Sequence, residues 1–218
     1  MLVELGARQK SQQDKYEPRE DYEETKTNYP ARPSFKHVVS LTRTSIIRAM
    51  DNSKSDPTLD RLFRHMAWAN QILLQKLQEV PVDALALSSE NKEWTVGVIT
   101  EHFVRSAGFY CARVTGESLP GGFKTPSSHE DLRELATRCA DFDAMLRQLA
   151  SQPEGMTTYQ REGKTIHRAR STILGQSIHH ATEHRAQIAD ILSLHGIRAI
   201  DLDEMDVWAY SDAEGLGN

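Results

Sequence analysis

Residues 57–77 read PTLDRLFRHMAWANQILLQKL, and within them Leu59, Leu62, Phe63, Met66, Ala69, Ile72, Leu73 and Leu77 recur at helical spacing. Steps of three and four residues place apolar groups along one face of an α-helix, whereas strict alternation would mark a strand. Asp56 ahead of Pro57 supplies an N-cap followed by proline at the first helical position, where a missing N–H removes no intrahelical bond. Pro81 ends the segment, because its ring cannot continue a helix.

Three more helices are expected downstream. The second opens at Trp94 or Thr95 and carries Val98, Ile99, His102, Phe103, Ala107, Phe109, Tyr110 and Val114 before Gly116 and Pro120-Gly121-Gly122 stop it. The third is capped by Ser127 or Ser128, has Glu130 and Asp131 in its first turn, and runs through Leu132, Leu135, Phe142, Met145, Leu146 and Leu149 to Pro153-Glu154-Gly155. Met156 to His167 resembles two short strands around Glu162-Gly163. A fourth helix spans about Ser171 to Leu194 and closes at His195-Gly196. The fold class expected is all-α, a four-helix bundle over residues 56–200 with a short hairpin-like connector before the last helix.

The flanks read differently. Residues 1–55 are expected to be a largely disordered extension: Gln12 to Pro33 is rich in Glu, Lys, Gln, Tyr and Pro and nearly free of aliphatic residues, too polar to offset the entropy of ordering. Phe35 to Met50 has the apolar spacing of a short helix, and Met50 is an alternative start of the chain. Residues 201–218 form an acidic tail whose first half, with Val207, Trp208 and Tyr210, is expected to pack back on the bundle.

Composition excludes several classes. The 218 residues hold 26 Lys and Arg against 31 Asp and Glu, a formal charge of −5, so no basic excess invites nucleic acid. No apolar run approaches the roughly 18 residues of a membrane span. Two cysteines do not make a disulfide framework. Residues 1–20 hold no sustained apolar stretch and no small-residue cleavage site, so they are not expected to be a secretory signal, and a cytoplasmic location is expected.

The chemistry-bearing stretch is Ile178-His179-His180-Ala181-Thr182-Glu183-His184-Arg185. His180 and His184, four apart, fall on one helical face one turn from each other, so both imidazoles can reach one ion. They sit in a stripe with Ile173, Gln176, Ser177, Gln187, Ile188 and Ile191, while His179 points away. Ala181 stands where a zinc protease would carry its glutamate, which rules out that activity. Catalytic zinc commonly takes three protein ligands plus water, and the best third donor is His102, among Val98, Ile99, Phe103 and Phe109 on or beside the buried side of the second helix. Histidine donors accept zinc, nickel, copper and iron alike.

Around this set, Gln187 and Gln176 are placed to orient an imidazole. Glu183, Arg185 and Glu101 read as solvated or paired with neighbouring helices, and His65 as structural. Trp68 and Trp94 read as core or rim aromatics, and Cys111 and Cys139 as small buried hydrophobes.

Leu62-Phe63-Arg64-His65-Met66-Ala67-Trp68-Ala69-Asn70 resembles the opening helix of the DinB-like (damage-inducible, YfiT-like) family, where a Trp-Ala-Asn element is common. Thr100-Glu101-His102-Phe103 falls where that family places a histidine, and His180-Ala181-Thr182-Glu183-His184-Arg185-Ala186-Gln187 resembles its closing signature, with Ala186 in place of the usual glycine. The resemblance covers about residues 57 to 200 and implies an up-down-down-up bundle, often a homodimer, with zinc or nickel on His102, His180 and His184. It also implies chemistry on a small-molecule substrate by thiol-dependent transferases and isomerases, with a low-molecular-weight thiol as cosubstrate. A metal-dependent hydrolase and a non-catalytic metal- or ligand-binding stress protein are the alternatives.

Overall fold

The structure, a computed structural model, describes residues 56–161 and 163–217; the extension over 1–55 and the helix expected from Phe35 to Met50 lie outside them. The described chain is mostly helical, with four long helices, one short one and a two-stranded hairpin.

Helix α1, Pro57–Glu79, starts where its cap dictates: the Asp56 carboxylate accepts from the backbone N–H of Thr58 at 2.8 Å and of Leu59 at 3.3 Å. A 3-10 turn, Val82–Ala86, and an isolated bridge between Ser88 and Thr95 follow; the sequence pattern gave no sign of either. Helix α2, Val96–Thr115, is capped by Thr95, whose side chain accepts from Val98 N. It ends on Gly116 at φ 76°, a left-handed conformation that an L side chain would strain. Helix α3, His129–Ala150, is capped by Ser128 rather than Ser127. Strands β1, Met156–Arg161, and β2, Lys164–Ala169, pair antiparallel from Met156 with Ala169 to Arg161 with Lys164. Helix α4, Arg170–Leu194, begins one residue before the expected position. After a 3-10 turn at Asp203–Met205 comes α5, Val207–Ala213, capped by Asp206.

The expected stripes meet in one core. Phe63, Met66, Leu73 and Leu77 of α1, Ile99 and Phe103 of α2, Leu132 and Leu146 of α3, and Ile188 and Leu192 of α4 are all fully buried. Burial of each is worth roughly 1.5–3 kcal/mol. α1 packs most on α3, and α2 on α4 and α3. His129 at the start of α3 donates to Val80 O at the end of α1, 3.0 Å, while Arg147 near the other end of α3 pairs with Asp60 at 2.7 Å. His195 after α4 donates to Ser88 O ahead of α2, 2.9 Å.

Four expectations of burial fail. Phe109 and Met145 follow helical spacing but are 39% and 38% exposed; the face of Phe109 receives the Arg113 guanidinium, 4.4 Å away, instead of the core. In the tail, Val207 and Trp208 face outward, Trp208 at 81% exposure, and Met205 and Tyr210 do the packing. A short capped helix can turn only one side inward, and the ion pairs of Glu214 with Arg61 and Arg64 of α1 help fix which.

Candidate metal site

Local geometry alone aligns two of the three rings. His180 and His184, one turn apart on α4, have Nε2 atoms 3.1 Å apart. The packing of α2 on α4 brings in the third, with His102 Nε2 3.2 Å from His180 Nε2. One ligand atom from each ring lies within 4.8 Å of the others, so the three could hold a metal ion. His179 is exposed on the far side of the helix, as its spacing predicts.

The donor set fits a cation. With metal–nitrogen bonds of about 2.0–2.1 Å, two ligands of a tetrahedral ion stand roughly 3.3 Å apart, close to the separations found. Without one, the cluster is poorly satisfied: His180 Nε2 has a single in-plane position, either a proton or a lone pair, so it can make a proper hydrogen bond with only one of the two neighbouring rings.

Burial keeps these imidazoles neutral, the form that ligates. It holds His102 down to about 2, helped by His184, His180 and Arg105, and His180 down to about 3. His184 is lowered by burial too, against the opposing effect of its hydrogen bond to Gln187.

Gln187 orients the site, as its position on the ligand face suggests. Its Oε1 accepts from His184 Nδ1–H at 2.8 Å, which fixes the tautomer and leaves the Nε2 lone pair toward the other rings. The same oxygen accepts from Trp94 Nε1 at 3.3 Å. Trp94 is therefore more than a rim aromatic: its ring centroid lies 5.0 Å from that of His102 and 5.9 Å from that of His184. Tyr110 meets His180 edge-on at 5.7 Å. Among the described residues no hydrogen bond joins Gln176 to a ring.

The remaining candidates settle into structural places. Glu183 is exposed, and Glu101 pairs with Arg105 at 2.8 Å. His65 donates to Met205 O at 2.9 Å, holding the tail to α1. Cys111 donates to Phe142 O, and burial pushes its thiol up to about 12. Burial raises the Cys139 thiol as well.

Sequence reasoning missed a polar network beneath the rings. Arg185 Nη1 donates to Asn70 Oδ1 at 2.6 Å, and Asn70 Nδ2 donates to Asp143 Oδ2 at 3.0 Å. Burial draws the Arg185 guanidinium down to about 10 and raises the Asp143 carboxyl to about 6. Arg185 thus finds its carboxylate neighbour through an asparagine. No spacing rule connects these three positions, which stand on three different helices.

No helix among the described residues is long and apolar enough to cross a membrane. No curated protein and no solved structure matches the chain at a significant level. The profile of the DinB family matches residues 50–212, which takes in every long helix, the three converging histidines and the Asn70–Arg185 contact. The chain belongs to the DinB family.

Proposed function

We propose that the protein holds one divalent metal ion, zinc or nickel, on Nε2 of His102, His180 and His184, and uses it to activate a small thiol for transferase or isomerase chemistry. The observation that carries the metal reading is the convergence of three neutral Nε2 atoms from two helices, 3.1 and 3.2 Å apart along the chain of contacts. The thiol follows from the family resemblance. When bound, an ion on three uncharged ligands keeps its double positive charge and lowers the pKa of a thiol or water beside it.

The protein's own residues prepare that position. Gln187 holds His184 in the ligating tautomer, and Trp94 holds Gln187 with its oxygen toward the ring. Burial of all three rings keeps protons from competing for their lone pairs at neutral pH. On this proposal the four long helices run up-down-down-up. In support, the start of α3 lies against the end of α1, the residue after α4 lies against the segment before α2, and Gly97 early in α2 lies close to Thr125 and Pro126 ahead of α3.

The test is metal analysis of the purified protein, followed by mass spectrometry of a thiol mixture incubated with it and an electrophile. One equivalent of metal and a thiol conjugate are expected, and His180→Ala should lose both. A His180→Ala variant with a full equivalent of metal would defeat the ligand assignment. Metal with hydrolysis of activated esters and no conjugate would replace the thiol reading with a hydrolase.

A further inference from the structure

A metal-binding histidine nearly always presents its second ring nitrogen to a carboxylate, a carbonyl or a water, which fixes the tautomer. For His184 that partner is Gln187. His180 commits Nε2 to the cluster, and among the described residues no hydrogen bond reaches its Nδ1. The residue lines a cavity of about 10 Å³ between the four long helices, together with Asn70, Tyr110, Asp143 and Ser177. That is the space of one water molecule and of nothing larger.

Asp143, 1% exposed, is only half satisfied. Its Oδ2 accepts from Asn70 Nδ2 at 3.0 Å and from the Cys139 thiol at 3.4 Å, while Oδ1 is buried without a hydrogen-bond partner. Buried polar atoms in native proteins are nearly always paired, with protein or with ordered water. Ser177 offers a second acceptor, because its Oγ gives its proton to Leu174 O at 2.7 Å and keeps its lone pairs. A water in this cavity thus meets an acceptor for each of its protons and needs a donor for its lone pairs. His180, three residues after Ser177 and on the same side of α4, is that donor when Nδ1 carries the ring proton. Three bonds are the usual complement of a buried water.

We infer that one ordered water occupies this cavity, donates to Asp143 Oδ1 and Ser177 Oγ, and accepts from His180 Nδ1–H, so that His180 keeps the tautomer whose Nε2 lone pair faces the ion. The inference rests on the metal reading above and extends the site from its ligands to α3. Asp143 is a positioning residue here, since it acts through the water and touches neither ion nor substrate. An ionised carboxylate has no proton to give, so it turns the lone pairs of the water toward the ring. Asn70 holds the carboxylate and is itself held by Arg185, which ties the network beneath the rings to the geometry of the ligands.

The test uses zinc-loaded, 15N-histidine-labelled protein at pH 8, where Asp143, raised to about 6 by burial, is ionised. In the wild type the Hδ1 proton of His180 should exchange slowly and show a rotating-frame Overhauser contact with a long-lived water. A high-resolution crystal structure should place that water within about 3.2 Å of Asp143 Oδ1. In Asp143→Asn the amide oxygen stays with the donors on Asn70 and Cys139, which turns its NH2 into the cavity against the donating ring. The Nδ1 shift of His180 should then move while that of His184, bonded to Gln187, stays, and zinc affinity should fall 10–100-fold. A merely structural role for Asp143 would not single out one ring. Loss of the water contact in the wild type, or an unchanged His180 shift in the variant, would overturn the inference, and the wild-type contact alone decides it if the variant does not fold. If the wild type takes up no zinc, the metal reading has failed separately. The crystal structure of the metal-free protein then decides: a water bonded to both Asp143 and His180 supports the link, and a cavity without one refutes it.

Discussion

Gln187 accepts two hydrogen bonds on one oxygen, from His184 and from Trp94. The two donors together determine which way the amide points, since a flipped amide would set its NH2 against both. Gln187→Leu should therefore weaken metal binding 10–100-fold, the usual effect of losing a ligand-orienting partner. Competition with a chelator measures this, with the melting temperature as a control for folding. The i,i+4 histidine pair was legible because helical geometry fixes its convergence, and Gln187 because it follows on the same face. Trp94 was not legible. It lies in the bend just ahead of Thr95, within the loop that the Ser88–Thr95 bridge closes, where no periodicity says which way an aromatic turns.

Helix boundaries were the most readable level of structure, because caps are local chemistry. Asp56, Thr95 and Ser128 each accept a backbone N–H of the helix they open. Inter-helix contacts were less readable. Gly108 of α2 faces α3 so closely that an added Cβ would lie 2.7 Å from Phe142 Cζ and 2.8 Å from Leu119 Cδ1. Gly108→Ala gains helix propensity but must push aromatic and aliphatic groups apart. It should lower stability by about 1–3 kcal/mol, seen as a lower denaturation midpoint at unchanged slope. The Asn70–Asp143–Arg185 network was hidden for the same reason: Asn70 and Arg185 are 115 positions apart, and only packing reveals that they touch. Tail residues misled by composition, since Trp208 looks like an anchor and Tyr210 is the one that serves.

At the scale of the whole molecule, buried titratable groups set the response to pH. His102 and His180, near 2 and 3 in the folded protein, protonate around 6.5 once unfolded. The unfolded chain therefore takes up more protons as pH falls below about 6.5, and metal-free protein should lose stability down to about pH 3, by at most ~1.4 kcal/mol per pH unit for each histidine. Asp143 acts the other way: raised to about 6 in the fold, it binds a proton before the unfolded chain does, so its contribution grows as pH falls from about 6 toward 4. Several histidines against one carboxyl make the net slope destabilising. Urea titrations of metal-free protein between pH 7 and pH 4 check the sign, and stability that rises on acidification would contradict it. The indole of Trp94, edge-on to His102 at 5.0 Å, gives the molecule an optical gauge of its own. Ions with unpaired d electrons quench a nearby excited indole and closed-shell zinc does not, so emission from a variant with Trp68 and Trp208 replaced by phenylalanine would tell one kind of bound ion from the other without any added dye.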